Sequence, residues 1–260
     1  MKKITLILFL CLGMERLAAQ SARLLFPAAS VFSDEARWEA GCLTQCRLAG
    51  TFTAYSGLLL PFDGNKSATL LLCREQWGDF RRLRGGMAYA QSFGDIFSLA
   101  MGCGYHSLSF SDPFYGRKRG AEVSLSACFR PAAPYAVWMV WENPFGLPYW
   151  VEGEQREPLP STWRAALVYR GMASLTVAAG AEKVRWQPVT CGLWMEGQPA
   201  TGWQWRLGCG FPSFCFMAGA GVAGPRYRCD FSLLFHQGWG PSLSLSLSRG
   251  WGGGKEVRHA

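Results

Sequence analysis

The chain has 260 residues, of which 49% are hydrophobic, 14% aromatic and only 17% charged. Its formal charge of +8 comes from basic residues scattered along the chain, with one short cluster at Arg81, Arg82 and Arg84. A nucleic-acid binder concentrates such charge on one face, so that class is excluded, and the cluster reads as solvated turn residues.

The first element is a secretory signal. Met1-Lys2-Lys3 precedes an apolar run from Ile4 to Met14, and Leu17-Ala18-Ala19 offers a small-residue cleavage site before Gln20. Residues 1–19 are therefore set aside, which leaves a formal +6 and a length that suits one all-β domain. Residues 20–46 have no clean period and form an N-terminal segment. Ser33-Asp34-Glu35 caps a short helix through Leu43 in this reading, and the segment is a candidate plug. Cys42 and Cys46 are the candidates for a disulfide; no His/Cys pair follows at zinc-like spacing, so no metal or other cofactor is expected.

From Arg47 onward, short alternating segments follow one another, separated by turn residues. Strands are predicted near 47–58, 67–77, 85–93, 95–110, 118–130, 134–142, 162–170, 172–180, 188–196, 201–211, 213–222, 227–236 and 241–250. Only a β-strand puts successive side chains on opposite faces. In 95–110 one face is Phe97, Leu99, Met101, Cys103 and Tyr105, and the other is Ser98, Ala100, Gly102, Gly104 and His106. In 241–248, Leu243, Leu245 and Leu247 alternate with four serines. Cys103, Cys191, Cys209 and Cys229 share the apolar faces and act there as small hydrophobes.

Segments near ten residues long with apolar and polar faces are the signature of a transmembrane β-barrel. The 12 Trp and 17 Phe fit aromatic girdles, with Trp138, Trp141, Trp150, Trp163, Trp186, Trp239 and Trp251 near predicted strand ends. Leu207 to Pro225 is uncharged and long enough for a spanning helix, yet Pro212, Pro225 and its glycines disfavour one. It reads as two strands with a tight turn at Pro212-Ser213. The fold expected is all-β, an antiparallel up-and-down transmembrane barrel of 12–14 strands over 47–251, with a flexible tail at 252–260.

The inward faces carry Glu122, Arg130, Glu142, Arg164, Arg170, Glu196, Arg206, Arg228 and Asp230, together with His236. Mixed signs on facing strands predict an ion-paired interior. That network either rigidifies a narrow barrel or lines a solute path. His106 and His236 fall on inward faces, where with Asp230 they form a candidate polar cluster, but no serine is marked as a nucleophile and no catalysis is expected. The longest connection, Asn143 to Ser161, offers Phe145, Tyr149 and Trp150 as exposed aromatic contacts for a partner.

Several short motifs recur in an order that resembles a known family. Gly85-Gly86-Met87-Ala88-Tyr89-Ala90 followed by Phe93-Gly94-Asp95-Ile96-Phe97-Ser98-Leu99 resembles one of its hairpins, and Glu142-Asn143-Pro144-Phe145 its strand exit. Leu159-Pro160, Ala181-Glu182-Lys183, Gly192-Leu193-Trp194 and the run from Asp230 to His236-Gln237-Gly238-Trp239-Gly240 follow in the same order. The family is the FadL-like outer-membrane barrels of Bacteroidetes, which include type IX secretion barrels. The resemblance implies a non-enzymatic protein of the Gram-negative outer membrane that passes hydrophobic or small solutes or serves a secretion system. Its partners would be outer-membrane lipid, such a solute, and secretion-system or other membrane proteins. Glu39-Ala40-Gly41-Cys42-Leu43 departs from the family's usual N-terminal segment. Two alternatives stand beside this reading: a structural or adaptor barrel acting through its extracellular loops, and an exported soluble β-sandwich with disulfides.

Overall fold

A computed structural model of the chain describes residues 27–33, 35–45, 50–112, 116–151, 157–172, 174–200, 202–237 and 240–251. The signal segment, Cys46, Trp239 and the tail lie outside the described residues. A single turn of helix, α1 (Pro27–Ser30), precedes the strands. These are β1 (Ala36–Gln45), β2 (Thr51–Phe62), β3 (Lys66–Trp77), β4 (Phe80–Phe93), β5 (Phe97–Phe110), β6 (Arg117–Ala132), β7 (Tyr135–Glu142), β8 (Pro148–Val151), β9 (Glu157–Pro158), β10 (Thr162–Met172), β11 (Leu175–Val184), β12 (Thr190–Ala200), β13 (Trp203–Phe211), β14 (Cys215–Ala223), β15 (Tyr227–His236) and β16 (Gly240–Trp251).

Fourteen of these strands close a ring of antiparallel neighbours. β1 pairs with β16 from Ala36↔Trp251 to Gln45↔Ser242, and β5 pairs with β6, so the ring itself is closed. β8 and β9 form a small hairpin within the long connection, where β8 extends the sheet along Lys118 to Gly120 of β6. Asn143 makes that continuation possible. It takes φ +50 where β7 ends, and its buried side chain donates to the carbonyls of Leu147 and Leu159 while accepting from the amide of Leu147.

The alternation decides which side chains meet the outside. Met101 is 63% exposed, while Ser98 on the other face of β5 is fully buried. In β15, Tyr227, Cys229, Phe231, Leu233 and Phe235 are exposed, and Asp230, Ser232, Leu234 and His236 are buried. This is the reverse of a soluble protein, with large apolar residues outside and polar ones within. The uncharged stretch from Leu207 to Pro225 forms β13, a turn and β14.

Three expectations need correction. The segment 36–45 is the first barrel strand and not a helix. Glu39, Gly41 and Leu43 point inward and Trp38, Ala40, Cys42 and Thr44 outward, and ladders to β2 and β16 outweigh a weak helical cap. The barrel therefore begins at Ala36. Trp138 is not in a girdle: it is 5% exposed and packs inside against Val140, Ala166 and Val168. Tyr149 is 4% exposed and packs on Leu108 and Leu159; Gly120 leaves the space its ring needs. Phe145 and Trp150 are exposed as expected. Cys42, Cys103, Cys191 and Cys229 are exposed free thiols.

Both described ends of the strand ring, Ala36 and Trp251, lie at one end of the barrel. Every connection at that end has two or three residues, whereas the opposite end carries longer ones, up to the 143–161 connection.

Candidate functional site: the barrel interior

The interior holds two ion networks. The first lies toward the long-loop end. Arg84 Nη2 on β4 donates to Glu122 Oε1 on β6 at 2.7 Å and to Glu142 Oε1 on β7 at 2.5 Å. Arg164 on β10 reaches Glu142 Oε2 at 3.0 Å and Glu182 Oε2 on β11 at 2.8 Å. The chain of charges thus runs Glu122, Arg84, Glu142, Arg164, Glu182. His106 extends it. Arg82 Nη2 lies 3.3 Å from its Nδ1, and a guanidinium can only donate, so Nδ1 accepts. Its Nε2 then carries the proton and faces Glu122 Oε1 at 3.0 Å. Arg82 also lies 3.6 Å from Glu75.

The second network lies toward the short-loop end on the other side of the barrel. Arg206 contacts Glu196 at 3.2 Å and Asp230 at 3.3 Å, and Arg228 contacts the same two carboxylates at 2.8 and 3.0 Å. Two cations and two anions alternate around a closed ring, and Gln204 donates to the remaining oxygen of Asp230. Beside it, Tyr55 donates to Glu39 at 2.9 Å.

Small residues let these side chains lie flat. Gly104 faces Glu122 in register, and a Cβ there would stand 3.0 Å from the carboxylate. Gly221 does the same for Asp230 and Gln204. Every ion pair named here joins strands at most three apart in the ring. The charges therefore run along the wall and do not reach across the lumen.

The N-terminal segment enters the lumen from the short-loop end. Ala28 and Ser30 are fully buried. The Ala28 amide donates to Ser126 Oγ at 2.9 Å, its carbonyl accepts from Ser98 Oγ at 2.5 Å, and Ser30 and Ser67 hydroxyls meet at 2.6 Å. Val31 joins the apolar shelf of Trp138, Val140 and Val168, with Phe32 and Trp194 packed against it.

The sequence-predicted residues divide accordingly. Glu122, Glu142 and Arg164 share the first network, and Glu196, Arg206, Arg228 and Asp230 the second. Arg130 and Arg170 join neither: Arg130 stacks over Phe32 at 4.6 Å and Arg170 over Trp138 at 5.7 Å. His236 is buried opposite Cys215. His106 and Asp230 belong to different networks, so the expected cluster of the two histidines with Asp230 does not form, because their strands lie on different sides of the ring. Arg82 and Arg84 are not the solvated turn residues expected: both turn inward from β4, Arg82 at 6% exposure and Arg84 paired with two carboxylates, and with Glu75, Glu182 and Gln204 they were not predicted as interior groups. The signal was present for two of them: in a strand, Arg82 and Arg84 share one face and Arg81 takes the other.

The barrel fold has counterparts among solved structures. The CymD monoaromatic hydrocarbon channel superposes with a TM-score of 0.70 over 90% of this chain and 94% of that chain, at 12% identity. The toluene transporter TbuX of Ralstonia pickettii gives 0.69 over 90% and 94%, at 10% identity. A FadL homologue of Pseudomonas aeruginosa gives 0.63 over 87% and 92%, at 11% identity. The barrel is FadL-like in fold. No protein-family model matches the sequence, and no curated protein does. At these identities the likeness is one of fold, and the wall chemistry above belongs to this chain.

Proposed function

We propose that this chain is a non-enzymatic barrel of the Gram-negative outer membrane that passes small apolar solutes. The observation that carries the reading is the interior. Ion networks are held flat on the wall, and an apolar shelf of Trp138, Val140, Val168 and Trp194 stands beside a short inserted segment. A path with a greasy shelf and internally neutralised charges suits an uncharged solute. The fold likeness to channels for monoaromatic hydrocarbons and toluene supports the same class. Connection lengths orient the barrel, with the short-loop end toward the periplasm and the long-loop end outward. The secretion-system role implied by the short motifs has no support beyond them.

The test is uptake of labelled toluene by a Gram-negative host that lacks a hydrocarbon channel of its own. Cells with the barrel in the outer-membrane fraction should take up toluene several times faster than cells without it, and Val168→Glu on the shelf should abolish the gain. Unchanged uptake with the protein correctly inserted would leave the second reading, a scaffold acting through its loops. Phe145 and Trp150, exposed on a connection anchored by buried Asn143, favour that alternative.

A further inference from the structure

The outer face of β3 to β6 changes character abruptly toward the long-loop end. On β5 the outward residues are apolar from Phe97 to Tyr105, and then become Ser107 and Ser109. The last row of the apolar belt is Leu72, Gly85, Tyr105 and Ala121, paired in register across four strands. The next row outward contains Arg74, Leu83, Ser107 and Arg119, and the row after it Gln76, Arg81, Ser109 and Arg117. Two adjacent rows thus carry four exposed arginines and no carboxylate.

Arg74 lies over the ring of Phe52 at 5.5 Å, which leaves its charge unneutralised. None of the four forms an ion pair among the described residues. The carboxylates closest in sequence are accounted for otherwise: Glu75 faces inward at 3.6 Å from Arg82, while Asp79 and Asp112 sit in the turns above. Arg81 and Arg117 are separated by two strand spacings, about 10 Å, with Ser109 between them. The opposite side of the ring differs. At the same end of β13 to β16 the outward residues are Phe211, Phe216, Phe235 and Pro241, without a charge.

We propose that this arginine patch docks the phosphorylated headgroup of a multi-acyl glycolipid of the lipid A type in the outer leaflet. Charge complementarity and continuity with the belt carry the argument. A guanidinium pairs with phosphate oxygens through two parallel hydrogen bonds, and serine hydroxyls add donors. The patch begins one residue row beyond the apolar belt, where acyl chains end and headgroups begin. A free anion would gain only the first of these contacts, whereas a lipid gains both. The inference rests on the outer-membrane reading proposed above and on its orientation.

The test uses the full-length barrel folded in dodecylmaltoside micelles. Binding of diphosphoryl lipid A and of its dephosphorylated form is compared by native mass spectrometry. The phosphorylated form should bind at least about tenfold more tightly. Replacing Arg74, Arg81, Arg117 and Arg119 together by Gln should erase that preference, and replacing Lys66, Lys183, Arg185 and Arg249 by Gln should leave it. If the fourfold variant loses the heat-dependent gel shift of a folded barrel, Arg81→Gln with Arg117→Gln is read in its place. Equal binding of the two lipids, a preference that survives the patch variants, or displacement by equimolar inorganic phosphate overturns the proposal. A protein that stays soluble without detergent defeats the membrane reading itself. A folded barrel indifferent to phosphorylation defeats only the lipid site.

Discussion

Single residues in this interior hold charge that would otherwise be stranded away from water. Arg84 is the clearest case. Its side chain is 13% exposed and serves two carboxylates, Glu122 at 5% and Glu142 at 12%. Removing one partner of a buried pair leaves an uncompensated charge, which costs about 3–5 kcal/mol. Arg84→Met should lower the stability of the folded barrel by that amount in urea titrations from micelles. Adding Glu142→Gln should return part of it, with a coupling of about 1–3 kcal/mol between the two positions. Strict additivity would show that the short contact has no energetic content. Gly104 belongs to the same argument, since any side chain there must push Glu122 off the wall.

At the level of elements, the inserted segment 27–33 is tied by polar seats and not by length. α1 is a single turn, too short to persist alone. Ser98 and Ser126 satisfy the Ala28 carbonyl and amide, and Arg130 covers the ring of Phe32. Ser98→Ala with Ser126→Ala should speed amide exchange in 27–33 by roughly ten- to hundredfold, because each buried hydrogen bond is worth about 1 kcal/mol. The barrel ladders should exchange as before; equal acceleration throughout would mean that the segment is part of one cooperative unit. The elements also show what a sequence can disclose. Thirteen of the fourteen ring strands were legible because apolar and polar faces alternate without interruption. β1 was not, since its inward face mixes Glu39, Gly41 and Leu43 and its outward face includes Thr44, so neither side reads as greasy. Most network members were recognisable as inward charges, but their grouping depends on register across β5 and β14, which no local pattern encodes. Tyr149 lies in a connection without any period, and only the pairing of β8 with β6 turns its ring inward.

For the molecule as a whole, the outward face must be solvated by something. Leu72 and Trp203 are each 61% exposed and Met101 is 63%, and such residues occur all round the ring. Water and lipid make opposite demands on this surface, so a charge scan along one strand separates them. Met101 lies midway along the apolar run of β5, and Ile96, 53% exposed, lies in the turn before that strand. In a bilayer, an arginine at the midplane of a barrel costs about 2–4 kcal/mol and near the interface about 0–1 kcal/mol. Met101→Arg should therefore destabilise the barrel in lipid vesicles by the larger amount, and Ile96→Arg by little. On a surface facing water, both changes would stay within about 0.5 kcal/mol. The gradient between the two positions, more than either value, reports whether the apolar belt meets acyl chains.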